Sequence, residues 1–252
     1  MTKLFYTLDK DGNEVLRDLE KENENFSRDG YLNGDFDANN YQWYENFHHF
    51  VYEDNGCDYE RMGCFIKEGD SVLDIGANIG VFAHRAETRG AGKVVCFEPI
   101  SPTFECLKKN IGNKTTAHKM AVGGESGFKN FKIHTDYRHI GGGTYDPHNT
   151  LSDKVIVYEE DVYMININDV FKNNHFDFMK IDIEGGEVDL IKEITDDNLL
   201  SLRCAAIELH SYEGFDEFQD SFITRMNSLG FTSFLLHHSN SGLRTVNFWK
   251  VI

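Results

Sequence analysis

Short apolar runs alternate with longer amphipathic ones through most of the chain, and the alternation predicts strands and helices in turn. Runs at Ser71–Ile75, Lys93–Phe97, Thr115–Met120, Phe176–Ile181 and Ala205–Leu209 read as strands. Segments of helical period lie at Ile79–Thr88, Pro102–Ile111, Glu187–Glu193 and Phe215–Leu229. A strand that is apolar at consecutive positions leaves no face for solvent, so these five belong to a parallel sheet covered on both sides. The pattern changes at the end. Thr232–His238 and Leu243–Val251 flank the turn Asn240-Ser241-Gly242 and predict an antiparallel pair. The fold class is therefore α/β: a Rossmann-like sheet of seven strands, mainly parallel, with an antiparallel C-terminal hairpin and helices on both faces.

Residues 1–55 depart from this pattern and read as an N-terminal hairpin and a cap or lid segment, with the α/β domain in 56–252. The hairpin runs through Leu4–Leu8, the turn dipeptide Asp11-Gly12 and Val15-Leu16. A polar segment from Glu20 to about Asn40 follows, then the aromatic cluster Tyr41, Trp43, Tyr44, Phe47, Phe50 and Tyr52. The cluster reads as the packing face of the cap or as a wall of a ligand pocket. Within the larger domain, residues 128–161 form an insertion with strands and the glycine-rich loop Gly141-Gly142-Gly143.

Charge narrows the choice of partner. The 252 residues carry a formal net charge of -17 and contain no lysine- or arginine-rich run. Long nucleic acid, whose phosphates call for a basic face, is disfavoured. No apolar run has the length of a membrane span, and the first residues lack the features of a signal peptide. The five cysteines (Cys57, Cys64, Cys96, Cys106, Cys204) are scattered, with no C-x-x-C pair. That usage suits free thiols in a reducing compartment, so the expected location is cytoplasmic.

The sharpest chemical signal is Val72-Leu73-Asp74-Ile75-Gly76-Ala77-Asn78-Ile79-Gly80, an apolar strand running into a Gly-x-x-x-Gly turn that opens a helix. Ligands of open α/β sheets bind outside the carboxyl ends of the strands, at turns of this kind. Gly76 and Gly80 let the backbone approach a ligand. Asp74, at the strand tip, is placed to act on a cationic group, directly or through water. A dinucleotide site wants G-x-G-x-x-G, but Asn78 stands where the middle glycine would be. The next strand ends in Phe97-Glu98-Pro99, with Glu98 placed to accept both ribose hydroxyls of a nucleoside and Pro99 and Ile100 to lie against its base. Two further strand tips carry Asp182 with Glu184 and Glu208 with His210. Residues two apart on a strand share a face, so each pair is expected to point together.

Four motifs in this order resemble those of the FkbM-type methyltransferases: Leu73-Asp74-Ile75-Gly76-Ala77-Asn78-Ile79-Gly80, Phe97-Glu98-Pro99, Lys180-Ile181-Asp182-Ile183-Glu184-Gly185-Gly186-Glu187 and Ile207-Glu208-Leu209-His210. The resemblance covers about residues 56–252. It implies a class I fold that uses S-adenosyl-L-methionine (SAM) and transfers methyl to an oxygen, often a hydroxyl of a sugar, glycan or small natural product. Cofactor contacts are then expected from Asp74, Gly76, Ala77, Asn78, Gly80, Glu98, Pro99 and Asp182. By resemblance, Glu60 sits near the methionine part of SAM, and Met120-Ala121-Val122-Gly123 borders the adenine through Ala121. Residues 1–55 and the insertion match no pattern of the family and are expected to set acceptor choice.

Methyl transfer to a hydroxyl needs a base within hydrogen-bond reach. His210 has the most suitable ordinary pKa, with Asp182 and Glu184 as alternatives and Glu208 beside them. His48-His49, His134, His139, His148 and His237-His238 lack metal-ligand spacing, so no metal is assigned. A hard divalent ion on Asp182, Glu208 and His210 is the less favoured option. Two other readings are carried forward: an NAD(P)-dependent oxidoreductase, and a catalytically silent SAM-fold partner protein.

Overall fold

The computed structural model describes residues 4–8, 14–18, 57–134, 143–144, 156–210, 215–237 and 244–251. The Asp11-Gly12 turn, the polar and aromatic segments of residues 20–52, Gly141-Gly142 and the Asn240–Gly242 turn lie outside the described residues.

Strands β1 (Leu4–Leu8) and β2 (Glu14–Asp18) form the antiparallel N-terminal pair. The α/β domain opens with β3 (Ser71–Ile75), α1 (Val81–Thr88), β4 (Lys93–Phe97), α2 (Ser101–Asn110) and β5 (Thr115–His118). Next come β6 (Ala121–Gly123), β7 (Gly127–His134), β8 (Gly143–Thr144), β9 (Ile156–Asn166) and α3 (Ile167–Phe171). The remainder is β10 (Phe178–Ile181), α4 (Glu187–Glu193), α5 (Asp196–Ser201), β11 (Cys204–Leu209), α6 (Phe215–Ser228), β12 (Phe231–His237) and β13 (Arg244–Lys250).

Seven strands build the large sheet in the order β12-β13-β11-β10-β3-β4-β5. The five expected parallel strands pair in parallel, and β13 enters antiparallel between β11 and β12. The strand order reverses at β3, so the loops leaving β3 and β10 diverge to open a crevice at their carboxyl ends.

Alternation along the strands divides the core. Leu73, Ile75, Val95, Phe97, Met179, Ile181, Ala205 and Ile207 pack on one face; Val72, Val94, Cys96, Phe178, Cys204 and Ala206 pack on the other. Asp74 and Lys180 share the second face, as register neighbours across β3 and β10. That face is covered by Phe82, Ala83 and Ala86 of α1, Phe104 and Leu107 of α2, and the segment holding Cys57, Tyr59, Cys64 and Ile66.

Several boundaries differ from expectation for local reasons. Strand β5 stops at His118 because the Met120 amide turns back to donate to the His118 carbonyl (3.0 Å). Strand β10 begins at Phe178 because Asp177 fastens the neighbouring strand: its carboxylate accepts from the Ser71 amide (2.9 Å), and its own amide donates to the Ser71 carbonyl (2.8 Å). The insertion is part of a second sheet in the order β6-β9-β7-β8, reaching beyond both expected limits. Its inner face packs Phe131, Ile133, Val162 and Met164 over Ile100 and Ala121. Glu160 on β9 accepts from the Ser101 amide (3.2 Å) at the start of α2 and pairs with Lys119 (2.8 Å). Among the described residues, no helix is long and apolar enough to cross a membrane.

Candidate functional site

The turn after β3 is shaped by backbone constraints. Gly76 has φ +77, and a Cβ there would overlap the Asp182 carbonyl oxygen. The Gly76 and Ala77 amides both donate to the Phe97 carbonyl (3.0 Å each), which binds the turn to β4. Asn78 takes the left-handed conformation (φ 50), which Asn tolerates better than most residues. Its amide donates to Glu98 Oε2 (2.9 Å), and its side-chain oxygen accepts from the Ile79 amide (2.7 Å). Gly80, at φ +94, begins α1, and a Cβ there would press on Leu107.

Glu98 is buried at the tip of β4, and burial pushes its carboxyl up to about 7. Oε1 accepts from the Ile100 amide (2.9 Å) and the Thr103 hydroxyl (2.7 Å), while Oε2 accepts from the Asn78 amide (2.9 Å). Each carboxylate oxygen offers about two acceptor positions. The expected two-oxygen grip on a ribose therefore narrows to Oε2. Ile100 and Ala121, expected beside the base, are buried under the second sheet. Pro99 is half-buried at the same turn.

A polar cluster stands at the tips of β10 and β11. Lys180 is buried; its Nζ donates to the Gly76 carbonyl (2.6 Å) and lies 3.4 Å from Asp74 Oδ1 and 3.6 Å from Asp182 Oδ2. Burial opposes the charge on Lys180, but Asp74, Asp182 and Glu208 outweigh it and hold the ammonium above its ordinary pKa. Asp74 is fully buried against Lys180, and burial raises its carboxyl while Lys180 lowers it. The cationic group it faces in the structure is Lys180, whose ammonium it holds under the glycine turn.

The Tyr59 hydroxyl lies 2.9 Å from Asp182 Oδ2 and 2.7 Å from Glu208 Oε2. Burial, then the neighbouring charge of Asp182, pushes Glu208 up to about 7. His210 has Nδ1 3.0 Å from Glu187 Oε1 and Nε2 3.2 Å from Glu184 Oε2, with Glu208 Oε1 at 3.9 Å. Burial works against its charge, yet Glu184 and Glu187 push the ring up to about 12. An imidazole donating from both nitrogens has no lone pair left for a proton. The geometry thus sets His210 against the expected role of base and makes it a cation that gathers carboxylates.

Asp182 and Glu184 both stand near His210, but they reach it from different backbone. The strand ends at Ile181, so alternation stops applying, and Glu184 sits at φ 56 with its carboxylate turned to His210. Glu208 and His210 do converge. Glu60, expected near a cofactor, is 1% exposed; it forms a buried ion pair with Arg85 and accepts from the Ile66 amide (2.9 Å). Its task is to anchor its own segment.

Sequence reasoning missed Tyr59, Lys180 and Glu187. Lys180 and Glu187 lay inside a quoted motif, and a lysine on an otherwise apolar strand was the available signal. Nothing local marks Tyr59, whose partners are 123 and 149 residues away. Ligand atoms of Asp182, Glu208 and His210 lie within 4.8 Å of one another, the one such trio among the described residues. Each is already engaged by Tyr59, Lys180 or the glutamates. His48, His49, His139, His148 and His238 lie outside the described residues, and so does the side chain of His134.

Comparison with known proteins agrees with this architecture. Residues 74–233 match the family described as the Methyltransferase FkbM domain. The 31-O-demethyl-FK506 methyltransferase FkbM of Streptomyces tacrolimicus is 32% identical over 99 residues, covering 37% of this chain and 38% of that protein. The AMB antimetabolite synthetase AmbE of Pseudomonas aeruginosa is 23% identical over 199 residues, 64% of this chain and 9% of that protein. The chain thus spans well under half the length of these relatives. Among solved structures, Methyltransferase FkbM from Methylobacillus flagellatus KT superposes with a TM-score of 0.52 at 15% identity, covering 80% of this chain and 47% of that one. That likeness is one of fold.

Proposed function

The chain belongs to the FkbM methyltransferase family, and from that premise we propose that it moves the methyl group of SAM onto a hydroxyl oxygen of a sugar, glycan or small natural product. Family membership supports dependence on SAM, and the fold is consistent with it. One observation carries the reading: the carboxylates of Glu98, Asp182 and Glu208 stand at neighbouring strand tips around a turn that tolerates no side chain at Gly76. Such a site offers hydrogen-bond acceptors to a ribose and opposite charge to a sulfonium. The relative from Streptomyces tacrolimicus is named for methylation at an oxygen, which supports the oxygen acceptor.

Bound SAM supplies a methyl carbon activated by its sulfonium. Glu98 Oε2 takes a ribose hydroxyl, and the turn from Gly76 to Gly80 brings backbone close to the cofactor. SAM would supply the methyl group and leave as S-adenosylhomocysteine, and the Asp182 carboxylate would take the proton that the acceptor hydroxyl gives up. Asp182 is preferred over His210 because Tyr59 and Lys180 both approach its Oδ2, leaving Oδ1 as the oxygen neither holds. His210 keeps Glu184 and Glu187 in place. Holding the acceptor in line with the methyl supplies much of the remaining acceleration.

The test has two arms. Calorimetry should show binding of SAM and S-adenosylhomocysteine and none of NAD. Mass spectrometry of hydroxylated acceptors incubated with protein and SAM should show one gaining a methyl at a hydroxyl. Tight NAD binding without SAM binding would sink the cofactor assignment. A methylated nitrogen or carbon acceptor, with hydroxyls untouched, would sink the oxygen assignment.

A further inference from the structure

The sheet face that carries Lys180, Asp182 and Glu208 is covered near β11 by residues 57–66, and one side chain of that cover reaches the strand tips. We propose that Tyr59 is a positioning residue of the transfer reaction: its hydroxyl ties Asp182 and Glu208 into one hydrogen-bonded unit and fixes the carboxylate that receives the acceptor's proton. The inference rests on the methyltransferase reading above.

Valence makes the contact specific. A phenol carries one hydrogen, but the Tyr59 oxygen lies within hydrogen-bond distance of two carboxyl groups, at 2.9 and 2.7 Å. The second hydrogen therefore comes from a carboxyl. Burial, with the charges of Asp182 and Glu208, raises the phenol well above its ordinary value, so the phenol keeps its own hydrogen. Burial and the charge of Asp182 push Glu208 up to about 7, so near and below neutral pH it is the carboxyl that takes up the other. While Glu208 is ionised the Tyr59 hydroxyl donates to either carboxylate, and when Glu208 is protonated it donates to the Tyr59 oxygen and leaves the Tyr59 hydroxyl for Asp182 Oδ2. The chain of donors keeps two acids close together that would otherwise repel, and it orients Asp182.

The hydroxyl is held in place from every side. The Tyr59 ring meets Phe82 of α1 edge to face, with centroids 5.7 Å apart, and Lys180 Nζ lies 5.4 Å from the ring centroid. Its backbone neighbours are tied to β13: Asn247 Nδ2 donates to the Asp58 carbonyl (2.8 Å), and Asn247 Oδ1 accepts from the Arg61 amide (3.3 Å). Glu60, bonded to Arg85 and the Ile66 amide, closes the other side. So rigid a mount for one hydroxyl is what a site needs to hold a proton acceptor within a few tenths of an ångström.

Tyr59→Phe keeps the ring and removes only the hydroxyl. Three measurements decide the matter. Difference infrared spectra of parent and Glu208→Gln at neutral pH should reveal a protonated-carboxyl band, and Tyr59→Phe should shift that band. Calorimetry should find SAM affinity within about twofold of the parent. With an acceptor that the parent methylates, S-adenosylhomocysteine release should show kcat reduced about tenfold to a hundredfold, with KM for SAM nearly unchanged. An unshifted band, or parent-like kcat, overturns the proposal. So does a joint fall of kcat, SAM affinity and melting temperature, which would make the hydroxyl merely structural. If the parent itself methylates no hydroxyl, the acceptor reading fails, while the infrared arm still decides whether the Tyr59 bridge exists.

Discussion

Glu98 shows how one carboxylate serves two tasks. It is buried, its Oε1 is filled by Ile100 and Thr103, and Oε2 holds the Asn78 amide while keeping an acceptor position in reserve. Glu98→Ala should weaken SAM about tenfold to a hundredfold by calorimetry, roughly 1.5–3 kcal/mol for charge-assisted hydrogen bonds; unchanged affinity would remove Glu98 from the ribose site. The raised value of about 7 adds a pH signature. Ribose hydroxyls donate most strongly to the ionised form, and without ligand that form dominates only above about pH 7. SAM affinity should therefore fall as pH drops through 7, by at most about tenfold per unit for one proton. A flat profile between pH 6 and 8 would show that binding ignores the charge on Glu98. His210 teaches the opposite lesson about reading residue types. Its ordinary pKa suggests a base, yet two carboxylates within 3.2 Å turn it into a cation.

The strand–turn–helix unit from β3 to α1 was the most legible element, because its constraints are local. Consecutive apolar positions gave the buried strand, and the glycines marked backbone that L side chains rarely adopt. Gly76→Ala should test this. At φ +77 the left-handed conformation costs roughly 1–2 kcal/mol for a residue with a Cβ, and the overlap with the Asp182 carbonyl adds to it. Gly69→Ala, at φ +87 with nothing within 4 Å of its added Cβ, carries the conformational cost alone. Urea denaturation should find Gly76→Ala the less stable variant by more than about 1 kcal/mol; equal losses would mean the turn yields freely. Elsewhere the sequence was less informative. Helices α3 and α5, of 5 and 6 residues, are too short to display a helical period. The second sheet draws on β6 and the far end of β9, outside the recognised insertion, because pairing between distant segments leaves no local mark. The backbone route of Glu184 was not legible, because strand alternation ends at Ile181 and Glu184 sits at φ 56.

At the scale of the whole molecule, the fold class followed from the order of elements, whereas the roof over the site came from contacts across most of the chain. Asn247 binds Asp58 and Arg61 over separations of 189 and 186 residues. Deleting residues 244–252 should strip β11 of its antiparallel neighbour and leave Tyr59 without its mooring. Such a chain should sediment with aggregates on centrifugation while the full chain stays in the supernatant; a soluble, SAM-binding truncation would refute the dependence. The position of β13 also bears on synthesis. Among the seven strands of the sheet it is last in chain order, yet it fills the slot between β11 and β12. Until β13 has emerged and paired, β11 presents an open backbone edge, a surface that invites strand pairing with other chains. Shielding of that edge until β13 has paired would then matter for yield. A message cut short before β13 would leave behind a product whose open edge makes it adhesive.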